Sequence, residues 1–135
     1  MWLRRVESGK QVRVILLLAL FGTLGTLARY GLEGWMQDRT GAAFPAGTLT
    51  VNLAGCLLLG AVGRYAFNHI AFPPELRTGI TIGFFGAFTT FSTFSWETVR
   101  MLQDGEWTKA GLYVAASVAG GLVAVATGVR LGNAL

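Results

Sequence analysis

Phe91 and Phe94 stand three residues apart with Ser92 and Thr93 between them, inside the stretch GFFGAFTTFSTFSWE at residues 83–97. That spacing puts both rings on one face of a helix. An aromatic ring has an electropositive edge around an electron-rich face, so two rings turned edge-on can meet an anion without any fixed positive charge. Hydroxyl hydrogens add further donors. A full charge such as an arginine would hold a small anion too firmly, because conduction needs weak sites in series. An unpaired ion in a medium of low dielectric costs on the order of tens of kcal/mol, so several modest donors must act together. The other reading of this spacing is an aromatic packing stripe, which composition alone would favour.

The remaining polar groups within apolar surroundings are few: Arg29, Asn52, Thr89, Thr90, Ser95 and Glu97. Polar groups at membrane depth are expensive and default to functional candidates. Asn52 lies in PAGTLTVNLAGCLLLG. A buried amide often only joins helices, through hydrogen bonds averaging about 0.6 kcal/mol, but its two N–H donors can also replace water around an anion. From the sequence the two roles stand level. Gly83 and Gly86 precede a β-branched, hydroxyl-rich run, and each glycine weakens a helix by about 0.8–1.0 kcal/mol relative to alanine. A break around residues 86–90 would free backbone carbonyls, tolerated only where they face protein, line a watery cavity or hold a cation. Close packing at Gly79, Gly83 and Gly86 is the alternative.

Enzyme chemistry finds no footing. The single histidine, His69, has no acidic or cysteine cluster placed to share a metal, and no phosphate loop, nucleophile elbow or paired intramembrane carboxylates occur. Cys56 has no partner for an internal disulfide and reads as a small apolar packing residue.

These residues need elements to position them, and the composition says which. Of 135 residues, 53% are hydrophobic and 13% charged, about half the roughly 25% charge of soluble domains. Uncharged runs cover residues 14–28, 40–63, 78–96 and 110–129. A bilayer core takes about 20 helical residues, so three of these runs suffice alone, and the first suffices if Arg29 is tolerated near its end. No small-residue cleavage site follows the first run. The expectation is an all-α membrane protein, residues 1–135 forming a single domain of four transmembrane helices at about 12–32, 47–67, 78–102 and 108–131. The double proline at 73–74 and the Asp-Gly pair at 104–105 mark the turns. The scattered net charge of +4 suits anionic lipid and offers no basic stripe for nucleic acid.

Four spans place both termini on one side. That side carries Arg4, Arg5, Lys10, Arg13, Arg64, Arg77 and Arg130, against Arg29, Arg39, Arg100 and Lys109 on the other. Seven against four is a weak positive-inside bias. On charges alone, termini-inside insertion and insertion both ways with antiparallel pairing stand level.

At this point the sequence resembles the Fluc (CrcB-type) fluoride channels over nearly its whole length. The likeness rests on GTLGTLARY, PAGTLTVNLAG, GFFGAFTTFSTFSWE and GLYVAASVAGG. The resemblance implies a passive fluoride channel of the bacterial plasma (inner) membrane that lowers cytoplasmic fluoride toxicity, built as an antiparallel, dual-topology homodimer with two pores. It implies that Phe91 and Phe94 line the pores with ring edges, that Asn52 supplies an amide, and that Ser92, Thr93, Tyr113 and Ser117 supply polar groups. It further implies a sodium ion at the dimer interface, held by main-chain carbonyls of Gly86 and Thr89 at a break in the third helix. Arg29 and Glu97 match recurrent charged positions. One departure is Gly86-Ala87, where many relatives have Gly-Gly; alanine tolerates positive φ poorly, which bears on the shape of the break.

Two rival readings of the sequence stand beside it. A small proton-coupled multidrug exporter needs an embedded carboxylate, and the expected first span has none, Glu33 falling just past its end. A non-transporting membrane assembly protein would explain the glycines but not Asn52 together with the phenylalanine pair.

Overall fold

The computed structural model describes residues 8–41 and 43–135. Arg4 and Arg5, which enter the charge comparison, lie outside the described residues. Within them the chain is entirely helical, with no strand. Helix α1 spans Ser8–Thr40 and α2 Ala46–Asn68. The next stretch is short-stepped: α3 Pro74–Thr78, a π-helical segment Gly79–Phe84, and α4 Phe85–Phe88. After Thr89 and Thr90, α5 spans Phe91–Gln103 and α6 Trp107–Ala134.

Three of these helices are long and apolar enough to cross a membrane: Gly9–Thr40, Ala46–Asn68 and Trp107–Ala134. The stretch from Pro74 to Gln103 is not one of them, because it is divided at Thr89–Thr90 and α5 has only 13 residues, short of the roughly 20 a crossing needs.

The boundaries follow local chemistry. Helix α1 outruns the expected 12–32 because nothing after Leu32 stops it: Glu33 to Thr40 contains no proline, and the helix ends only at Gly41, whose φ of +76° suits glycine. Glu33 therefore lies inside α1 rather than beyond its end. Gln37 then fastens the loop. Its Nε2 donates to the carbonyls of Gly41 (2.6 Å) and Phe44 (3.1 Å), and its Oε1 accepts from the Gly47 amide (3.3 Å). Pro74 opens α3 at the first helical position, where its missing N–H costs nothing. Gly105, at φ +77°, makes the turn into α6.

Large apolar side chains mostly face outward, Leu16, Leu27, Leu122 and Val123 among them, while Thr48 and Thr90 are buried. This inverts the soluble arrangement and fits a lipid surround. Without a hydrophobic force between helices in lipid, close backbone approach must supply the attraction. Helices α2 and α6 approach through Gly60, Gly128 and Gly132: a Cβ on Gly128 would collide with the Leu57 carbonyl, and one on Gly132 with that of Ala61. At the far end Asn133 Oδ1 accepts from Arg64 Nε (2.5 Å) and Asn68 Nδ2 (3.3 Å). Helix α1 packs in the same manner on the π segment and α4, with Gly25 against the Phe84 carbonyl.

Gly128→Ala should therefore destabilise the fold by about 1–3 kcal/mol through overpacking, despite alanine's better helix propensity. Gly111→Ala, where an added Cβ meets nothing within 4 Å, should be neutral or stabilising by up to about 1 kcal/mol. Thermal unfolding of the detergent-solubilised variants checks the pair; equal melting temperatures would contradict the packing account.

Candidate anion pathway

The chain leaves helical geometry at two residues. Thr89 (φ −92°, ψ 157°) and Thr90 (φ −147°, ψ 114°) are extended, and helix resumes at Phe91. Gly86 and Ala87 are both helical within α4, and no residue here has positive φ. The strain expected of Ala87 does not arise, because the change of direction falls on two β-branched threonines suited to extended backbone.

An interruption of this kind strands backbone groups, and Asn52 of α2 meets two of them. Its Oδ1 accepts from the Thr90 amide (2.8 Å) and its Nδ2 donates to the Thr90 carbonyl (3.1 Å). The side-chain amide thus pairs with Thr90 as a neighbouring strand would. The Thr90 hydroxyl caps α5, accepting from the Thr93 amide (3.2 Å). It also donates to Thr93 Oγ1 (3.0 Å) and lies 3.2 Å from Ser92 Oγ. The level reading of Asn52 as joint or lining is thereby refined: one face of its amide holds the interruption, leaving one N–H and one lone pair uncommitted.

These diversions have a consequence for two carbonyls. In an unbroken helix the Gly86 carbonyl would accept from the Thr90 amide and the Thr89 carbonyl from the Thr93 amide. Those donors go to Asn52 and to the Thr90 hydroxyl instead. Gly86 is exposed, with nothing within 4 Å of an added Cβ.

Around α5 and α6 the structure gathers an aromatic and hydroxyl cluster. Phe94 lies 5.2 Å from Tyr113 and 5.6 Å from Phe91 between ring centroids, and Phe44 meets Tyr113 edge-on at 5.5 Å. The two phenylalanines differ in environment: Phe94 is 9% exposed and Phe91 79%. Tyr113 is fully buried, and its hydroxyl donates to Glu97 Oε2 (2.6 Å). Thr48 donates to Glu97 Oε1 (2.8 Å) and also lies 3.3 Å from Glu33 Oε1. Both oxygens of Glu97 thus accept from hydroxyls, and Tyr113 is engaged with Glu97. Ser117, one turn beyond Tyr113 on α6, has a buried Oγ with no hydrogen-bond partner among the described residues. Ser92 is exposed beside Phe91, whereas Thr93 is half-buried. Arg29, half-buried on α1, makes no hydrogen bond or ion pair among the described residues and does not join the cluster.

Sequence reasoning missed Thr48, Glu33 and Gln37. Thr48 carries no signal of its own, since its role depends on a carboxylate 49 positions away.

A family model described as CrcB-like protein, Camphor Resistance (CrcB), matches residues 16–129. The fluoride-specific ion channel FluC of Geobacter metallireducens is 53% identical over 104 residues, covering 77% of this chain and 84% of that protein. FluC of Geobacter sulfurreducens is 48% identical over 121 residues, 90% of this chain and 98% of the relative. FluC of Geotalea uraniireducens is 44% identical over 124 residues, 92% and 100% respectively. With a matched family model across most of its length and relatives aligned nearly end to end, this chain belongs to the CrcB family.

Proposed function

We propose that this protein is a fluoride-selective ion channel of the bacterial inner membrane, through which fluoride leaves the cell passively. The observation that carries the reading is that the chain's relatives are named fluoride-specific channels, and neutral donors with aromatic rings around α5 and α6 support it. From the interruption outward the pathway offers the free N–H of Asn52, the hydroxyls of Ser92, Thr93 and Ser117, and the edges of Phe91 and Phe94. Fluoride accepts hydrogen bonds and donates none, so such groups can replace its water. None binds it with the grip of a fixed charge. Glu97 does not oppose this, because its oxygens are turned to Thr48 and Tyr113. No step is a bond-making reaction, and the protein is not an enzyme.

In this reading Pro74–Gln103 forms a fourth crossing, a broken helix whose bend at Thr89–Thr90 lies within the membrane. Two copies pair antiparallel and each completes the other's pore; the exposure of Phe91 and Ser92 on a single chain supports this. The carbonyls of Gly86 and Thr89, deprived of their helical donors, suit sodium: two from each chain would supply four oxygens to a hard cation. A cation so held supplies fixed positive charge near the pores and lowers the cost of an anion there. The chain's own part is to present those carbonyls, which the Asn52–Thr90 pairing does.

Ion efflux from proteoliposomes tests the whole reading. Fluoride should leave rapidly, electrogenically and without a proton gradient while chloride stays; retention of fluoride, or efflux driven only by a proton gradient, would sink it. Phe91→Ala and Phe94→Ala should each lower fluoride flux about two- to tenfold, the rate equivalent of about 0.5–1.5 kcal/mol for an aromatic edge contact, with assembly intact on size-exclusion chromatography. Unaltered flux in both would remove these rings from the pore.

Asn52→Ala should act differently, on the fold as well as the flux. It orphans the amide and carbonyl of Thr90, at about 1–3 kcal/mol each. The expected result is a lower melting temperature together with lost efflux; a variant that keeps its melting temperature but loses flux would show that Asn52 lines the pore without holding the bend.

A further inference from the structure

An anion channel with an acidic mouth poses a problem, and this chain has one. Of its seven carboxylates, five belong to one end of the molecule: Glu33 and Asp38 on α1, Glu97 on α5, and Asp104 and Glu106 in the turn to α6. Four cations share that end. Lys109 Nζ is paired with Glu106 at 2.6 Å, Arg39 stacks 4.3 Å over the Trp35 ring, and Arg29 sits on α1 one turn before Glu33. The fourth, Arg100, is exposed, and its side chain makes no hydrogen bond or ion pair among the described residues.

Its placement is specific. Thr90, Thr93, Glu97, Arg100 and Asp104 recur at three- and four-residue steps, so they form a single stripe along α5 from the bend to the surface. Arg100 lines a cavity of about 240 Å³ together with Gln37, Glu97, Met101, Asp104 and Glu106, and the other three cations do not line it. Arg100 thus stands one turn beyond Glu97 and one turn before Asp104, the outermost member of the stripe.

We propose that Arg100 is the anion-capture residue of this mouth, raising the local fluoride concentration outside the Glu97–Tyr113 cluster. This rests on the channel reading above. A fixed cation on the wall of this cavity offsets part of the field of Glu97, Asp104 and Glu106, so that an arriving anion meets one attractive group among acids. At the surface the attraction is screened and weak, so the ion passes inward rather than lodging. The donors deeper in the pathway then take over, so Arg100 governs how readily the pore fills and not how fast a filled pore conducts.

Single-channel currents in planar bilayers with equal fluoride on both sides test this without reference to orientation. Arg100→Gln should raise the half-saturating fluoride concentration about two- to fivefold, as expected for one unit charge near the entrance, with the saturating current unchanged. Arg100→Lys should keep the parental value, Arg100→Glu should raise it further, and high concentrations of an inert salt should erase the differences. An unchanged half-saturation in Arg100→Gln, or a lowered saturating current in its place, overturns the capture role. No fluoride current in the parent protein overturns the channel reading itself.

Discussion

The pairing of the Asn52 amide with the backbone of Thr90 is the contact on which the rest of this structure depends. In an apolar surround every backbone N–H and C=O needs a partner, which is why membrane segments are ordinarily unbroken helices. Two extended residues can exist between α4 and α5 because Asn52 answers both polar groups of Thr90 and the Thr90 hydroxyl answers the Thr93 amide. The arrangement is incomplete in a productive way. Each substitution of partner releases one carbonyl upstream, at Gly86 and at Thr89.

The second constraint is that an anion channel should present little free negative charge, and Glu97 lies within the aromatic and hydroxyl cluster. Its two oxygens accept from Thr48 and Tyr113, both almost fully buried. Hydrogen bonds to a charged group are worth about 1.5–3 kcal/mol, so the pair can hold the carboxylate in a fixed orientation. The hydroxyl of Tyr113 is committed to this task. Phe94 packs on the same tyrosine ring, so the carboxylate, the hydroxyl and the ring edge form one rigid unit.

What could be read from the sequence was what depends on neighbours in the chain. Apolar run lengths predicted four crossing helices, of which three are long and apolar enough in the structure; Pro73-Pro74 and Asp104-Gly105 marked the turns, and Gly83, Gly86 and the threonines indicated weak helix near the middle of the third apolar run. What could not be read depends on distant partners. Asn52 and Thr90 are 38 positions apart, so the amide could only be described as a joint or a lining. Spacing placed Phe91 and Phe94 on one face, but residues three apart still differ by about 60° around a helix of 3.6 residues per turn. At the edge of a buried face that angle separates an inward ring from an outward one. The extension of α1 to Thr40 was hidden because Glu33, Asp38 and Arg39 look like loop residues, although charged side chains at a helix end can reach the membrane interface.

The outward position of Phe91 bears on the architecture as well. A ring alone would be at home against lipid, but Ser92 beside it is also exposed, its hydroxyl 3.2 Å from Thr90 Oγ1. Helix α5 therefore presents a mixed aromatic and polar surface where a lipid-facing helix would be uniformly apolar. Such a surface is satisfied by a water-filled passage or by another protein wall rather than by hydrocarbon.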